Sequence, residues 1–208
     1  MRRSTIEKVL LGGACMLVAA TAWGQQSPKL ASLKPSSIDL ALTYSPELGQ
    51  TSYSKNSLWL QGGGLDIVAG FKNGFGLSAS INGEYASNVA TNVDIEKISY
   101  LAGPRYTANV FQGKKGKLKG HAIQIFGEAL FGDAYAFNSV IPTSGGVETS
   151  ANVFAMQLGG GINVPIDKHV GVRLLQADYV RTSFPNNVLN QQDDIRLSFG
   201  ATYHFGLR

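Results

Sequence analysis

The sequence predicts an all-β fold, an eight-stranded antiparallel up-and-down transmembrane β-barrel. First, apolar and polar side chains alternate strictly over residues 194–206. Successive side chains of a strand point to opposite faces, so this segment has one apolar face and one polar face. Second, about eight such segments of roughly 10 to 15 residues follow one another. Third, long polar loops and short turns join them alternately, a pattern that is typical of barrels that cross a bilayer.

The composition is consistent with one domain of this kind. The chain has 208 residues, a formal net charge of +4, 25 glycines and only 15% charged residues. Soluble domains usually contain about 25% charged residues. The basic residues are scattered, apart from four lysines that a glycine-spaced turn explains: Lys114, Lys115, Lys117 and Lys119. We therefore expect no nucleic acid among the partners.

Residues 1–24 have the layout of a secretory signal peptide, with a basic start, an apolar run and a small-residue site before Gln25. We expect cleavage after Gly24. The apolar run is too short for a membrane-spanning helix. The only cysteine, Cys15, leaves with this leader, so the mature chain is predicted to have no disulfide. Residues 25–36 are polar with two prolines and predict a periplasmic tether, and the barrel is predicted to occupy residues 37–208.

The first two predicted strands follow the tether. In the first, Ile38, Leu40, Leu42 and Tyr44 share the outward face, and a polar loop is predicted over residues 45–57. The second strand covers roughly residues 58–71. Its three glycines at 62–64 predict either a bulge or a close approach of lumen side chains.

The third and fourth strands come next. Lys72-Asn73-Gly74 predicts a tight hairpin, because Asn-Gly accepts the positive φ angles of such turns. The third strand alternates cleanly over residues 75–85, and a loop is predicted over residues 86–93. The fourth strand runs from about residue 98 to 110 and contains Pro104, which removes a ladder hydrogen bond. A bulge or a weakened pair is expected there.

The remaining strands repeat the pattern. A short turn at 112–120 precedes the fifth strand (121–135), and a loop at 138–150 precedes the sixth, which ends near residue 164. Pro165 begins the third short turn. In the seventh strand (169–182), the outward parity changes between Leu174 and Ala177, which predicts a one-residue bulge near Leu175. A loop at 183–193 leads to the eighth strand.

Eight strands close with a lumen that is filled by side chains. Closure also removes the unpaired strand edges that lipid could not satisfy. In such barrels the short turns face the periplasm and the longer loops face outward.

Three sequence runs add a family resemblance: Gly-Pro-Arg-Tyr at 103–106, Gln-Ala-Asp-Tyr at 176–179, and Leu-Ser-Phe-Gly-Ala-Thr-Tyr-His-Phe at 197–205. With the eight-strand layout, residues 37–208 resemble small bacterial outer-membrane proteins of the OmpA and OmpX type. The resemblance implies a location in the outer membrane. It also implies contact with outer-membrane lipid and lipopolysaccharide, and insertion by the barrel-assembly machinery.

The candidate functional residues are charged side chains on the predicted lumen face: Asp39, Asp66, Glu84, Arg105, Glu128, Arg173, Asp178 and Arg196. Buried charges are costly unless they are paired, so we expect an interlocked network that plugs the barrel. One interpretation of this network is purely structural. The other, which the OmpA resemblance implies, is that rearranged pairs open a narrow ion path.

Enzymatic and metal-binding functions have little support. The three histidines, His121, His169 and His204, show no His-x-Ser spacing, and all lie near predicted short-turn ends. No catalytic residue, metal site or cofactor is therefore expected.

The sequence thus predicts an integral outer-membrane barrel with a structural or surface-interaction role and at most a narrow, side-chain-plugged ion path. The alternative is an adhesion or ligand-binding barrel that acts through its outer loops, at residues 45–57, 86–93, 138–150 and 183–193. The composition of these loops identifies no extracellular ligand.

Overall fold

The computed structural model describes residues 34–50, 57–90, 93–112, 122–137, 141–143, 146–185 and 191–206. The predicted signal peptide, most of the predicted tether, the short turn after Gln112 and His121 lie outside the described residues. No helix in the described part of the chain is long and apolar enough to cross a membrane.

The described ranges form eleven strands and one turn of 3-10 helix, Lys72–Gly74. The strands in chain order are β1 (Ser37–Tyr44), β2 (Glu47–Gln50), β3 (Ser57–Gly70), β4 (Phe75–Ala90), β5 (Val93–Gln112), β6 (Ala122–Phe137), β7 (Ile141–Thr143), β8 (Gly146–Glu148), β9 (Ala151–Pro165), β10 (Val170–Thr182) and β11 (Gln192–Gly206).

Nine of these strands form one closed antiparallel sheet, in the order β1-β11-β10-β9-β6-β5-β4-β3-β2. The sheet closes because β1 pairs with both β11 and β3, and β2 pairs with the same two neighbours. Strands β1 and β2 are therefore two parts of one strand, interrupted where Pro46 has no N–H to donate. Across the interruption, Ser45 N donates to Gly62 O (2.8 Å) and Leu197 N donates to Pro46 O (2.9 Å). The fold is the predicted eight-stranded barrel.

The strand alternation places apolar side chains outside the barrel and polar side chains inside it. On the exterior, Leu42 is 69% exposed and Phe199 is 49% exposed. In the interior, Asp66 is 4% exposed and Arg196 is 1% exposed. The assignment of the two faces from sequence parity is confirmed for these residues.

The predicted bulge near Leu175 is confirmed. The register of β10 shifts after Arg173 against both neighbouring strands. Leu174 and Leu175 consequently both face outward, with 56% and 48% exposure. A second bulge in β5 turns Val110 and Phe111 outward together in the same way, and the sequence analysis did not predict it.

Two positions with alternative predictions are resolved. Along β5, which is described in full, the register is the same on both sides of Pro104, but pairing with β6 is missing at Gly103 and Pro104. Of the two outcomes expected at Pro104, the structure therefore has the weakened pair and not the bulge.

Strands β3 and β4 also keep an unbroken register past the three glycines at 62–64. A Cβ at Gly64 would meet the side-chain amide of Asn82, so the glycines permit the close approach of lumen side chains.

Four predicted loops are partly wrong. The loop at 45–57 contains β2, and the loop at 138–150 contains the separate hairpin β7–β8. Strand β4 continues to Ala90 and β5 begins at Val93, so strand replaces nearly all of the loop at 86–93. Strand β11 begins at Gln192. Strands β4, β5 and β11 thus extend beyond the point where large apolar residues cease to alternate.

The short turns define one end of the barrel, which we call the short-turn mouth, and the opposite end is the long-loop mouth. The predicted hairpin at Lys72–Gly74 is confirmed, with φ 64° and ψ 24° at Asn73 and φ 81° at Gly74. The turn after Pro165 is also confirmed, because Ile166 N donates to Val170 O at 2.9 Å across it.

The positive φ of Asn73 gives a first prediction. Asn73→Val should lower the free energy of unfolding by about 1–2 kcal/mol, because a β-branched side chain is strained in the left-handed region. Urea unfolding of the lipid-embedded barrel, followed by gel mobility, measures the change. Lys72→Val is the control, since Asn73 is the only non-glycine residue with positive φ in the described ranges. Equal effects of the two substitutions would contradict the strain.

Candidate functional site

Charged side chains fill the lumen between the two mouths. Seven of the eight predicted lumen charges are buried inside the barrel: Asp66, Glu84, Arg105, Glu128, Arg173, Asp178 and Arg196. The eighth, Asp39, lies at the short-turn mouth with its side chain 40% exposed, where it pairs with His204. The buried charges form two clusters.

The first cluster lies in the half of the lumen nearer the short-turn mouth, and we call it the Arg105–Arg173 cluster. Arg105 Nη1 donates to Glu128 Oε2 at 3.4 Å. Arg173 Nη1 pairs with the Asp66 carboxylate and also donates to Gln176 Oε1 at 2.6 Å. Gln176 Nε2 in turn donates to Glu128 Oε1 at 3.0 Å. One glutamine therefore joins the two ion pairs into a single unit.

An aromatic ring and two further polar side chains complete this cluster. The Phe126 ring lies 3.5 Å from Arg105 Cζ and 5.0 Å from Arg173 Cζ, so both cations contact one ring. Gln176 Nε2 donates to Asp178 Oδ2 at 2.9 Å. Arg173 Nε donates to Asn163 Oδ1 at 3.2 Å. The cluster is thus held by contacts from β3, β5, β6, β9 and β10.

The second cluster, the Arg196 cluster, lies nearer the long-loop mouth. Arg196 Nε donates to Glu47 Oε2 at 3.0 Å, and Arg196 Nη2 lies 2.5 Å from Glu84 Oε1. Lys97 pairs with Glu47, and its Nζ lies 3.6 Å from Asp194 Oδ2. When all five side chains are ionised, the carboxylates of Glu47, Glu84 and Asp194 face the cations of Arg196 and Lys97. Among the described residues, neither Glu84 oxygen accepts a hydrogen bond of good geometry, so proximity to Arg196 is its main compensation.

Three buried charged residues were not among the predicted lumen charges: Glu47, Lys97 and Asp194. Each lies on the same face of its strand as a lumen residue that was predicted. Lys97 shares a face with Arg105, and Asp194 shares a face with Arg196. Glu47 was missed because the first strand was predicted to end too early, and Lys97 because the fourth strand was predicted to begin too late. Extending the period-two alternation to the true strand ends would have found both. Asp194 stood at the first position of its predicted strand, on the polar face, and was not selected.

Gln157 connects the two clusters. Arg196 Nη1 donates to Gln157 Oε1 at 3.0 Å, and Gln157 Nε2 donates to Glu128 Oε1 at 3.3 Å. Hydrogen bonds and ion pairs therefore run without interruption from Arg173 to Lys97 across the lumen.

An apolar cluster lies in the half of the lumen nearer the long-loop mouth, and we call it the apolar cap. It consists of inward-facing residues and two partly buried side chains that pack on them: Leu101, Leu130, Ala134, Ala155, Val153 and Phe184. Gln192 fixes the backbone of Phe184, accepting from its N and donating to its O, both at 3.0 Å. The segment after β10 thus packs against residues of the barrel interior.

A cavity of about 550 Å³ occupies the short-turn end of the lumen. Its lining reaches from His204 and Lys168 at the mouth to Arg105 and Arg173 inside. We call this cavity the vestibule.

The described histidines lie at the short-turn mouth, as predicted. His169 Nδ1 is 3.0 Å from His204 O, and its ring stacks on Tyr203. Within the described ranges, no three His, Cys, Asp or Glu side chains are grouped closely enough to hold a metal ion.

The side chains on the exterior indicate whether water or lipid surrounds the barrel. Large apolar side chains such as Ile67, Ile125 and Leu158 are between 42% and 46% exposed, whereas seven of the predicted lumen charges are buried inside the barrel. This is the reverse of a barrel in water, and lipid is the medium that matches it. The closed sheet also leaves no edge to be satisfied within the bilayer. The chain is an integral membrane β-barrel of the outer-membrane type, and the outer membrane is its location.

Comparison with known proteins supports this class. No family model and no curated protein matches the sequence. Among solved structures, the chain is similar to Neisserial surface protein A, at 13% identity and a TM-score of 0.51 over 81% of this chain and 96% of that chain. It is also similar to OprG from Pseudomonas aeruginosa (11%, TM-score 0.46, 84% and 98%) and to Ail from Yersinia pestis (18%, 0.43, 81% and 97%). The likeness to Neisserial surface protein A shows a shared fold.

Proposed function

We propose that the chain serves as a closed outer-membrane barrel with a structural or surface-interaction role, and that it has at most a narrow, occluded ion path. The continuous network from Arg173 through Gln157 to Arg196 carries this proposal, because it crosses the lumen through buried side chains. The apolar cap fills further space beside this network. Opening a path would separate buried charge pairs, at a cost of several kcal/mol.

The proposal also concerns partners and chemistry. The apolar exterior supports lipid contact around the barrel, and we include lipopolysaccharide and the barrel-assembly machinery as partners. A non-enzymatic role is part of the proposal, because both described histidines make structural contacts at the short-turn mouth. With its lumen closed, the protein would meet extracellular partners through the surface at the long-loop mouth.

Single-channel recording in planar lipid bilayers tests the closed lumen. We expect the wild-type barrel to show only rare, small current steps. The double variant Arg105→Ala/Glu128→Ala removes both members of one buried pair and leaves no unpaired charge, so its conductance should rise several-fold if this pair occludes the path.

The matched control removes an exposed pair, Arg181 and Asp193, whose side chains are 39% and 41% exposed on the outside. Arg181→Ala/Asp193→Ala should leave the current unchanged. Large, steady channels in the wild-type protein would refute the proposal. A double variant at Arg105 and Glu128 with wild-type conductance would show that this pair does not occlude the path.

A further inference from the structure

The vestibule has a wall of mixed polar and apolar side chains and a cationic inner end. Arg105 and Arg173 form the inner end, and the wall carries neutral side chains that include Asn163, Gln124 and Thr202. At about 550 Å³ it is large enough for a small polar molecule. Its inner end is shared with the network that crosses the lumen, because Arg105 and Arg173 belong to both.

The cations of the Arg105–Arg173 cluster face the vestibule, but their partner carboxylates do not. Arg105 and Arg173 line the cavity, whereas Asp66 and Glu128 are absent from its lining. With every group ionised the cluster holds two guanidiniums and three carboxylates, yet the only charged groups of the cluster that line the cavity are the two guanidiniums. An anion in the vestibule would therefore meet guanidinium groups before it met the acids behind them.

Arg105 also has spare hydrogen-bonding capacity. The Arg105 side chain is only 4% exposed, and its exposed part lines the vestibule. Within the described residues, Arg105 Nε has no hydrogen-bond partner. The contact from Nη1 to Glu128 Oε2, at 3.4 Å, is long for a charge-assisted hydrogen bond. A buried donor without an acceptor is unfavourable, and an added acceptor would remove that cost.

The acids at the rim are already engaged by neighbours. Asp39 pairs with His204, and Asp167 Oδ1 accepts from Lys168 N at 2.7 Å. The Lys168 side chain adds a positive charge at the mouth. The two rim carboxylates are therefore held by neighbouring groups, and the Lys168 ammonium offsets part of their negative charge.

We propose that the vestibule binds a small oxyanion, the phosphate or carboxylate group of a polar molecule, through Arg105 and Arg173 at its inner end. Guanidinium groups present several N–H donors in one plane, which matches the acceptor oxygens of either group. The amide and hydroxyl groups of Asn163, Gln124 and Thr202 line the space that the rest of such a molecule would occupy. The ligand enters from the short-turn mouth.

Nuclear magnetic resonance titration of the folded full-length barrel in zwitterionic micelles tests this site. Inorganic phosphate and acetate are added in separate series, at constant ionic strength set by sodium chloride. The Nε–H signals of Arg105 and Arg173 should shift and saturate, while that of the exterior residue Arg181 should not. Saturation with phosphate alone indicates a phosphate-bearing ligand, and saturation with acetate alone indicates a carboxylate. Shifts that do not saturate, or equal shifts at Arg181, would overturn the proposal.

Two variants keep the test independent of folding. Arg105→Gln/Glu128→Gln removes the guanidinium together with its acid, and should weaken binding, read at Arg173, by about ten-fold or more. Asn163→Asp retains the acceptor for Arg173 Nε and adds a negative charge beside the site, so it should weaken binding to a similar extent. Wild-type affinity in a folded Asn163→Asp variant would overturn the proposal. None of these results depends on whether the lumen conducts ions.

Discussion

Arg196→Ala is expected to lower the free energy of unfolding by about 3–5 kcal/mol, the range for removing one partner of a buried ion pair. Arg196 is 1% exposed and contacts Glu47, Glu84 and Gln157. Without it, Glu84 has no cation within ion-pair distance among the described residues. Lys97 would then be the only cation of the Arg196 cluster facing three carboxylates.

Urea unfolding of the lipid-embedded barrel, read by gel mobility without boiling, measures this loss. Arg181→Ala is the matched control, because Arg181 makes an exposed ion pair and such surface pairs contribute little to stability. Arg196→Ala/Glu84→Gln should recover part of the lost stability, since it removes the carboxylate that the single variant leaves unpaired. If Arg196→Ala costs no more than Arg181→Ala, the Arg196 cluster does not stabilise the barrel.

Leu158→Arg should have the second largest effect, a loss of about 2–4 kcal/mol in the free energy of unfolding in lipid vesicles. Leu158 lies at the middle of β9 and is 42% exposed on the exterior. A cationic side chain at this depth would enter the hydrocarbon region, where its hydration is lost.

Ile166→Arg is the control for depth. Ile166 is 57% exposed in the short turn after β9, close to the expected membrane interface, where a charge costs about 0–1 kcal/mol. Reversible unfolding from vesicles gives both values under the same conditions. Equal losses at Leu158 and Ile166 would contradict a lipid-facing exterior along β9.

Period-two alternation was sufficient to predict the strands whose outward side chains are large. It predicted that Arg196 faces the lumen and that Phe199 faces outward. It also predicted the bulge beside Leu175, because the change of parity is visible in the sequence itself. It was insufficient after Ala86, where β4 continues to Ala90 although its ladder with β5 shifts register between these two residues. Lys97 was missed because its strand was predicted to begin at Ile98, whereas β5 begins at Val93.

The partners within the lumen could not be predicted. Arg173 contacts Asp66, 107 residues earlier in the chain, and only the closed barrel brings them together. The position of Phe184 against Leu130 depends on Gln192 and on the path of the segment after β10, which alternation does not describe. The alternation therefore predicted on which face of its strand a charged residue lies, but not its ion-pair partner.

The pairing of β1 with β11 has a consequence for assembly. Asp39 lies opposite His204, 165 residues later, and the hydrogen bonds of this seam form only after β11 has arrived. Until then a growing sheet has two unpaired edges, each with N–H and C=O groups that hydrocarbon cannot satisfy. Contacts so distant in sequence also form slowly. Membrane insertion therefore depends on protecting two open edges until the first and last strands of the sheet meet, so that completion of the cylinder is the committing step.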